Sequence, residues 1–313
     1  MTGRISERII VKSSLEYLLF ASVARILQLL PLGMVRGMAR LTGQAVYHVL
    51  PVRKKLTLLQ LRRAFPELPD AEIRGIARGS YVNLITTIFE MMWTPRLDED
   101  FLPRVLRIHN LDVVEHARRR GSGVIMMSGH FGNWEWLSTG ASRLMGFNVT
   151  VVVHPIHNPA VDTLVEGWRQ SMGNRVVDMG LSVREIIRAL RNREVVAMLA
   201  DQSGPSGSLY VRFFGHYAAT YEGPATFALR TGAPVVMSFA VRAEDGNYDV
   251  LQEEIPTSDL RGLTDENLRE LTRRHVRALE GMIRRYPEQW LWQHKRWKHA
   301  PHAESVLVED PDD

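Results

Sequence analysis

The chain has 313 residues, 45% hydrophobic and 24% charged, enough for one large α/β domain with a substantial core or for two small ones. It contains no cysteine, which excludes disulfides, thiolate zinc sites and a cysteine nucleophile together. The formal net charge of +4 favours acidic partners (anionic lipid headgroups, an acidic carrier protein or nucleic acid) without choosing among them.

The first predicted element is the apolar stretch 17–35, YLLFASVARILQLLPLGMV. Its length approaches the roughly 20 residues that span a bilayer. However, Arg25 sits in its middle, and Pro31 and Gly33 interrupt its end. No small-residue cleavage site follows, so it does not read as a signal peptide. A basic segment comes next, with Arg53, Lys54, Lys55, Arg62 and Arg63 around Leu56, Leu58, Leu59 and Leu61. An apolar anchor with a basic face predicts helices lying in, or dipping into, an anionic cytoplasmic leaflet. The plainer alternative is a buried core helix with a snorkelling arginine. Residues 1–65 are thus expected to form a membrane-associated helical segment.

Asp70 reads as the N-cap of the next helix. In that helix Ile73, Ile76, Tyr81, Leu84, Ile88 and Met91 recur at three-to-four spacing and predict one buried face. Apolar, β-branched runs then appear at 124–127, 149–153, 194–199, 233–241 and 248–251, separated by helical patterns at 134–145, 159–171, 181–192 and 222–232. This alternation predicts βαβ units and a parallel or mixed sheet over residues 66–300. Thr264 caps a last long helix with Leu268, Leu271, His275, Leu279 and Met282 on one face, ended by Pro287. His275 is there a core histidine. The acidic residues 304–313 read as a disordered tail within a segment 301–313.

The chemistry concentrates in MSGHFGNWEW, residues 127–136, at a turn between a strand and a helix. A histidine beside the end of a buried strand, with a carboxylate one helical turn away, has the makings of a supported general base. His130 is the candidate base and Glu135 the candidate orienter. Gly129 and Gly132 are expected to leave backbone N–H groups open to a reacting oxygen near a helix N-terminus. A loop histidine bonded only to backbone is the structural alternative. Ser128 lacks the G-x-S-x-G elbow that presents a hydrolase nucleophile. The spacing H-x-x-x-x-E does not place two ligands on one helix face as H-E-x-x-H does, so no metal site is expected.

At GHFGNWE the chain resembles the bacterial lipid A late acyltransferases, the lauroyl and myristoyl transferases of the lysophospholipid acyltransferase superfamily. The resemblance extends, in order, through RKKLTLLQLRRAFPEL at 53–68, WRQSMG at 168–173, the block from Asp201 to Ala233 with DQ, FFG and GPA, and the closing PEQWLWQHKRWK. His154 departs from it, standing where many relatives carry arginine or lysine. The resemblance implies a three-layer glycerolipid-acyltransferase-like α/β fold. It further implies transfer of a fatty acyl chain from acyl-carrier-protein or acyl-CoA to a hydroxyl of a lipid A precursor. It implies no cofactor, and action at the cytoplasmic face of the inner membrane. Other acceptors, such as phosphoinositide mannosides or amino-acid lipids, and a non-catalytic lipid-binding role are the rivals; nucleic acid is not an expected partner.

The resemblance also marks Arg169 and Asp201 as functional. Arg169 is suited to clamping a phosphate through its bidentate fork. Asp201 closes the strand before it, on the edge where α/β sheets place ligands, and would hold Arg169 or a substrate amide. An Arg169–Asp201 structural ion pair is the plain alternative. Asn133 either positions substrate or caps the helix, and Arg175 is a phosphate ligand or a solvated charge. Phe131, Trp134, Trp136, Phe213, Phe214 and Tyr221 are candidates for an acyl groove, with core packing as the rival. The HKRWK cluster at 294–298 is expected to meet headgroups or the carrier protein.

Overall fold

The computed structural model describes residues 2–50, 52–179 and 183–299, with side chains from residue 14 onward. The acidic tail lies outside the described residues. Two helices open the chain, α1 (Thr2–Gln28) and α2 (Leu32–Val49). Pro31 is the N-cap of α2. A proline has no N–H to continue a preceding helix, so the apolar stretch 17–35 breaks into two helices. Among the described residues no helix is long and apolar enough to cross a membrane. Each helix instead buries one side: Ala24, Leu27, Leu32 and Val35 pack with Met92, Trp93 and Trp136. Their other side carries exposed Leu15, Leu18, Leu19, Ile26, Met34 and Leu41, with exposed Leu29 in the turn between them.

After α3 (Lys54–Ala64), α4 (Asp70–Trp93) forms a central pillar. Asp70 is the first helical residue and Pro69 the N-cap. The Asp70 carboxylate pairs with Arg62 at 3.1 Å and Arg74 at 3.4 Å, which occupies it away from a capping position. The expected apolar face is only part of the buried surface. Asn83, Thr87 and Glu90 are buried too, on a second face that meets the candidate site.

The α/β region runs α5 (Leu102–Val105), β1 (Leu106–Ile108), α6 (Asp112–Arg119), β2 (Val124–Ser128), α7 (Trp134–Met145), β3 (Val149–Val153), α8 (Pro159–Gln170), β4 (Arg175–Asp178), α9 (Val183–Arg191) and β5 (Val195–Leu199). It continues through the hairpin β6 (Leu209–Phe213) and β7 (His216–Thr220), then α10 (Gly223–Thr231), β8 (Val235–Arg242), β9 (Tyr248–Ile255) and α11 (Asp265–Arg285). Seven strands form one sheet in the order β1-β9-β8-β2-β5-β3-β4, and β6–β7 pair separately. All sheet neighbours are parallel except β8 and β9.

Strand side chains alternate between faces. Ile125, Met127, Val196 and Met198 meet Ile186, Ala228 and Leu279 of α9, α10 and α11. Val124, Met126, Val195 and Ala197 meet Val114 and Ala141 of α6 and α7. Helices therefore cover both faces of a mostly parallel sheet, as the near-continuous apolar strands require. Thr264 caps α11 through its Oγ, which accepts from Asn267 N at 3.2 Å, and His275 is buried as expected.

Candidate active site

Parallel register brings the central pair of groups together. β2 and β5 are neighbours in which Ser128 lies opposite Leu199. His130 and Asp201 each stand two residues beyond those strand ends, so both leave the sheet side by side. Asp201 Oδ1 accepts from His130 Nδ1 at 2.8 Å, and Oδ2 accepts from the His130 backbone N–H at 2.7 Å. Trp290 Nε1 adds a third donor to Oδ2, at 2.9 Å. Asp201 is 2% exposed, so the carboxylate is dry and fully engaged.

This corrects the expected pairing. Glu135 is not the hydrogen-bonded partner of His130. On α7 it instead accepts both arms of Arg169, from Nε at 3.0 Å and from Nη2 at 2.8 Å. The reason is position: α7 and α8 pack together, and the Glu135 carboxylate points to α8 across their contact. The expected contact of Asp201 with Arg169 is likewise replaced, because the Arg169 fork is already matched to Glu135. Glu135 still acts on His130 through its charge.

The pKa shifts follow these contacts. For His130, burial disfavours the charged ring and is the largest single effect. The charge and hydrogen bond of Asp201, joined by the charge of Glu135, outweigh it, and the pKa is raised despite Arg169. For Asp201, burial works against ionisation. The His130 charge, the ring and backbone hydrogen bonds and Trp290 overcome it and bring the carboxyl down to about 2. With Asp201 ionised, Nδ1 of the neutral ring carries the proton and Nε2 keeps its lone pair. The Gln202 carboxamide nitrogen stands 3.4 Å from that Nε2.

A polar stripe on α4 holds the turn that carries His130. Thr87 Oγ1 and Asn83 Nδ2 donate to the Gly132 carbonyl at 2.8 and 3.2 Å, and the Gly132 N–H donates to Gln289 O at 2.8 Å. Gly132 is thus committed to structure, and its N–H is not open to a reacting oxygen. Its φ is +54°, and a Cβ there would lie 1.7 Å from the Ala240 carbonyl oxygen. Only glycine fits. Asn133, of the two roles expected, takes the cap: its Oδ1 accepts from Trp136 N at 2.8 Å, and its Nδ2 donates to Glu90 Oε2 at 2.8 Å. It is 0% exposed and faces no substrate.

Glu90 anchors this wall. Fully buried, it pairs with Arg36 at 2.6 Å and Arg242 at 3.2 Å and accepts from Tyr248 Oη at 2.5 Å. Burial opposes its charge, but the two guanidinium groups and Tyr248 win and its pKa is lowered. Arg36 belongs to α2, so the N-terminal helices are tied into the wall behind His130.

The closing segment forms the opposite side. Leu291 N donates to His130 O at 3.0 Å, while Trp290, Trp292, Arg296 and Trp297 are 1% exposed or less. The Arg296 guanidinium donates to Ala219 O at 2.6 Å and Thr220 Oγ1 at 2.8 Å. Arg296 and Trp297 of HKRWK are therefore a core clasp joining the hairpin to the site, buried away from any headgroup or carrier surface. Nor do most of the proposed groove aromatics border an open cleft: Phe131, Trp136, Phe213 and Phe214 are core, and only Trp134 lies against the His130 ring, at 5.3 Å. Tyr221 is exposed. Arg175 makes an exposed pair with Glu185 at 3.1 Å, and His154 is exposed beside Pro155 O. Among the described residues no group of three or more His, Asp or Glu side chains is placed to hold a metal.

Sequence reasoning missed the roles of Trp290, Gln202 and Glu90. The first two lay in quoted segments, PEQWLWQ and DQ. Glu90 carried a usable signal, the lone charge in the stretch 79–93 of α4.

Comparison with known proteins bears on the family. Residues 6–299 match the family model described as bacterial lipid A biosynthesis acyltransferase. The chain is 30% identical over 262 residues to the lipid A biosynthesis palmitoleoyltransferase of Escherichia coli (strain K12), covering 82% of each chain. It is 25% identical over 268 residues to the lauroyltransferase of the same organism, covering 83% of each. It is also 23% identical over 235 residues to a phosphatidylinositol mannoside acyltransferase of Mycolicibacterium smegmatis, covering 74% of each. A match this long, to a family model and to relatives aligned over most of their length, settles the assignment: the chain belongs to the bacterial lipid A biosynthesis acyltransferases, a family of acyl-transferring enzymes.

Proposed function

We propose that this chain moves a fatty acyl group from a thioester donor, acyl-carrier-protein or acyl-CoA, onto a hydroxyl of a lipid A precursor, with His130 Nε2 as general base and Asp201 as its orienting carboxylate. The observation that carries this mechanism is the buried Asp201–His130 pair, which holds the proton on Nδ1 and leaves the lone pair on Nε2. Nε2 takes the hydroxyl proton as the oxygen attacks the thioester carbonyl carbon. The C–S bond then breaks and the imidazolium returns the proton to the departing thiolate. Asp201 stabilises that imidazolium and does not itself take the proton. Glu135 keeps Arg169 in place and adds negative potential at the ring. The opposite edge of the Arg169 fork is the one available to a substrate phosphate.

The exposed apolar side of α1 and α2 fits an anionic membrane surface at the cytoplasmic face of the inner membrane. Behind that side, half-buried Phe20 of α1 stacks on Trp168, the neighbour of Arg169, at 5.9 Å. A lipid acceptor would so reach His130 from the membrane side.

The test is acyl transfer by purified protein from labelled acyl-carrier-protein and acyl-CoA donors to a glucosamine-disaccharide precursor, with a folded His130→Ala protein alongside. Transfer that collapses in His130→Ala supports the reading; transfer that survives removes His130 as base. Because a relative is a phosphatidylinositol mannoside acyltransferase, that acceptor is assayed in parallel, and exclusive transfer to it would replace the lipid A precursor.

A further inference from the structure

A thioester held beside an activated base faces a competing reaction. Water can lose a proton to Nε2, bond through its oxygen to the acyl carbon, and break the C–S bond, the thiolate taking the proton back. The acyl chain is then wasted as a free fatty acid. In this chain the base nitrogen is not left open. Asp201 holds Nδ1, so the lone pair of Nε2 points toward the Gln202 carboxamide, 3.4 Å away.

The residues on either side of Gln202 are fastened. Asp201 is pinned by His130 and Trp290. Ser203 pairs with Thr220 across an isolated bridge, and its N–H donates to the His294 ring at 3.3 Å. Burial pushes the His294 pKa down to about 4, chiefly by desolvation, so this ring stays neutral and accepts. With both neighbours fixed, what can move is the half-buried Gln202 side chain itself, a three-torsion arm that reorients without moving the loop.

Resting on the acyltransferase reading above, we propose that Gln202 is a latch on the base: its carboxamide donates to His130 Nε2 until the acceptor hydroxyl displaces it, and so holds back attack by water on the donor thioester. The displacement exchanges one hydrogen bond to Nε2 for another. A lipid hydroxyl delivered with the binding energy of its whole molecule makes the exchange, and a lone water lacks that binding energy. Gln202 is in this view a residue that selects lipid over water, separate from the groups that perform the transfer.

The experiment uses the full chain with anionic vesicles and a long-chain acyl-CoA as donor probe. It reads thiol release without acceptor against acyl transfer with the glucosamine-disaccharide precursor. Gln202→Met keeps the arm and removes the amide; Gln202→Ala removes both. The expected result is a ratio of hydrolysis to transfer raised about fivefold in each variant, on the order of 1 kcal/mol for one lost hydrogen bond. Adding His130→Ala to Gln202→Met should abolish the extra thiol release, and thermal melting shows whether each protein is folded. An unchanged ratio in both folded variants, or release that persists without His130, overturns the latch. If the wild type shows neither transfer nor His130-dependent release, the acyltransferase reading itself falls and takes the latch with it. A wild type with His130-dependent release and an unaltered ratio in the variants sinks the latch alone.

Discussion

Replacing Asp201 by asparagine tests the assignment of the two carboxylates directly. The carboxyl is brought from 3.8 down to about 2 by its surroundings, His130 foremost among the favourable partners once burial is overcome. A shift near two units corresponds to about 2–3 kcal/mol, and the same coupling stabilises the imidazolium that forms during transfer. Its loss alone predicts a fall of roughly 30- to 150-fold in kcat. An asparagine that turns its amide N–H toward Nδ1 also selects the wrong tautomer. The comparable change in a serine-protease triad lowers kcat by about 10⁴, so the expected range is roughly 30-fold to 10⁴-fold. Direction in pH is equally definite. The base acts when neutral, so wild-type activity rises as pH climbs through the raised His130 pKa. Asp201→Asn removes the main raising influence and should move that rise to lower pH. Glu135→Gln should move it less, because Glu135 reaches the ring by charge only while its hydrogen bonds go to Arg169. Transfer rates from pH 5 to 9 on folded variants decide the matter. Wild-type rate and profile in Asp201→Asn, beside a displaced profile in Glu135→Gln, would refute the reasoning.

Other consequences concern the scaffold. Gly132→Ala, forced against the Ala240 carbonyl at positive φ, should lose at least about 3 kcal/mol of stability. Gly167→Ala, on α8 with open space at its Cβ, should gain about 0.5–1 kcal/mol; denaturant midpoints compare them, and equal midpoints would contradict the close approach. Glu90→Gln leaves Arg36 and Arg242 facing each other in a dry site and should destabilise by about 3–5 kcal/mol, read as a lower urea midpoint; an unchanged midpoint would show the network to be idle. Stability should also fall in acid. His275 is buried next to Arg296, and burial first, then that charge, pushes its pKa down to about 3. A histidine whose folded pKa lies below 6.5 contributes stability above pH 6.5 and loses it as pH falls toward 3. Between pH 6.5 and 4.5 the loss is about 2 kcal/mol. His130, with its raised pKa, has the opposite sign, contributing below 6.5 and losing its contribution as pH rises through the folded value. Asp201 holds its contribution above 3.8 and gives it up toward about 2, below this window. Melting curves at the two pH values, with His275→Gln expected to flatten the difference, measure this; an equal slope in the variant would exclude His275 as its source.

The sheet was readable where strands are long and buried on both faces: β2, β3, β5 and β8 coincide with the Val- and Ile-rich runs, and the run 248–251 is the first half of β9. What escaped were short pieces. β1 and β4 are edge strands of three and four residues, too brief for a periodic signal. The 209–220 hairpin was visible only as motif residues, not as strands. His130, Glu135, Arg169 and Asp201 all stand at the site, yet their pairing was not legible. Asp201 lies 71 residues from His130, and which strands are neighbours is a long-range choice that local pattern does not carry. Arg296 and Trp297 misled for a related reason. A mixed basic and aromatic run has the composition of a binding surface, and burial of its arginine depends on two acceptors on β7, Ala219 and Thr220.

The two carboxylates divide the work by what each gains from its neighbours. Asp201 is dry, receives three donors and is held ionised at about 2, which makes it a fixed charge under the ring. Glu135 shares its charge with a bidentate guanidinium, so its effect on His130 is attenuated while its geometry is set by α8. The pair Arg169–Glu135 is nearly neutral and 12–13% exposed at each side chain. A substrate phosphate approaching Arg169 would compete with Glu135 for the guanidinium and free some of the negative potential that Glu135 exerts on His130. Binding of an anionic substrate would then strengthen the base at the moment it is needed, a coupling that neither residue provides alone.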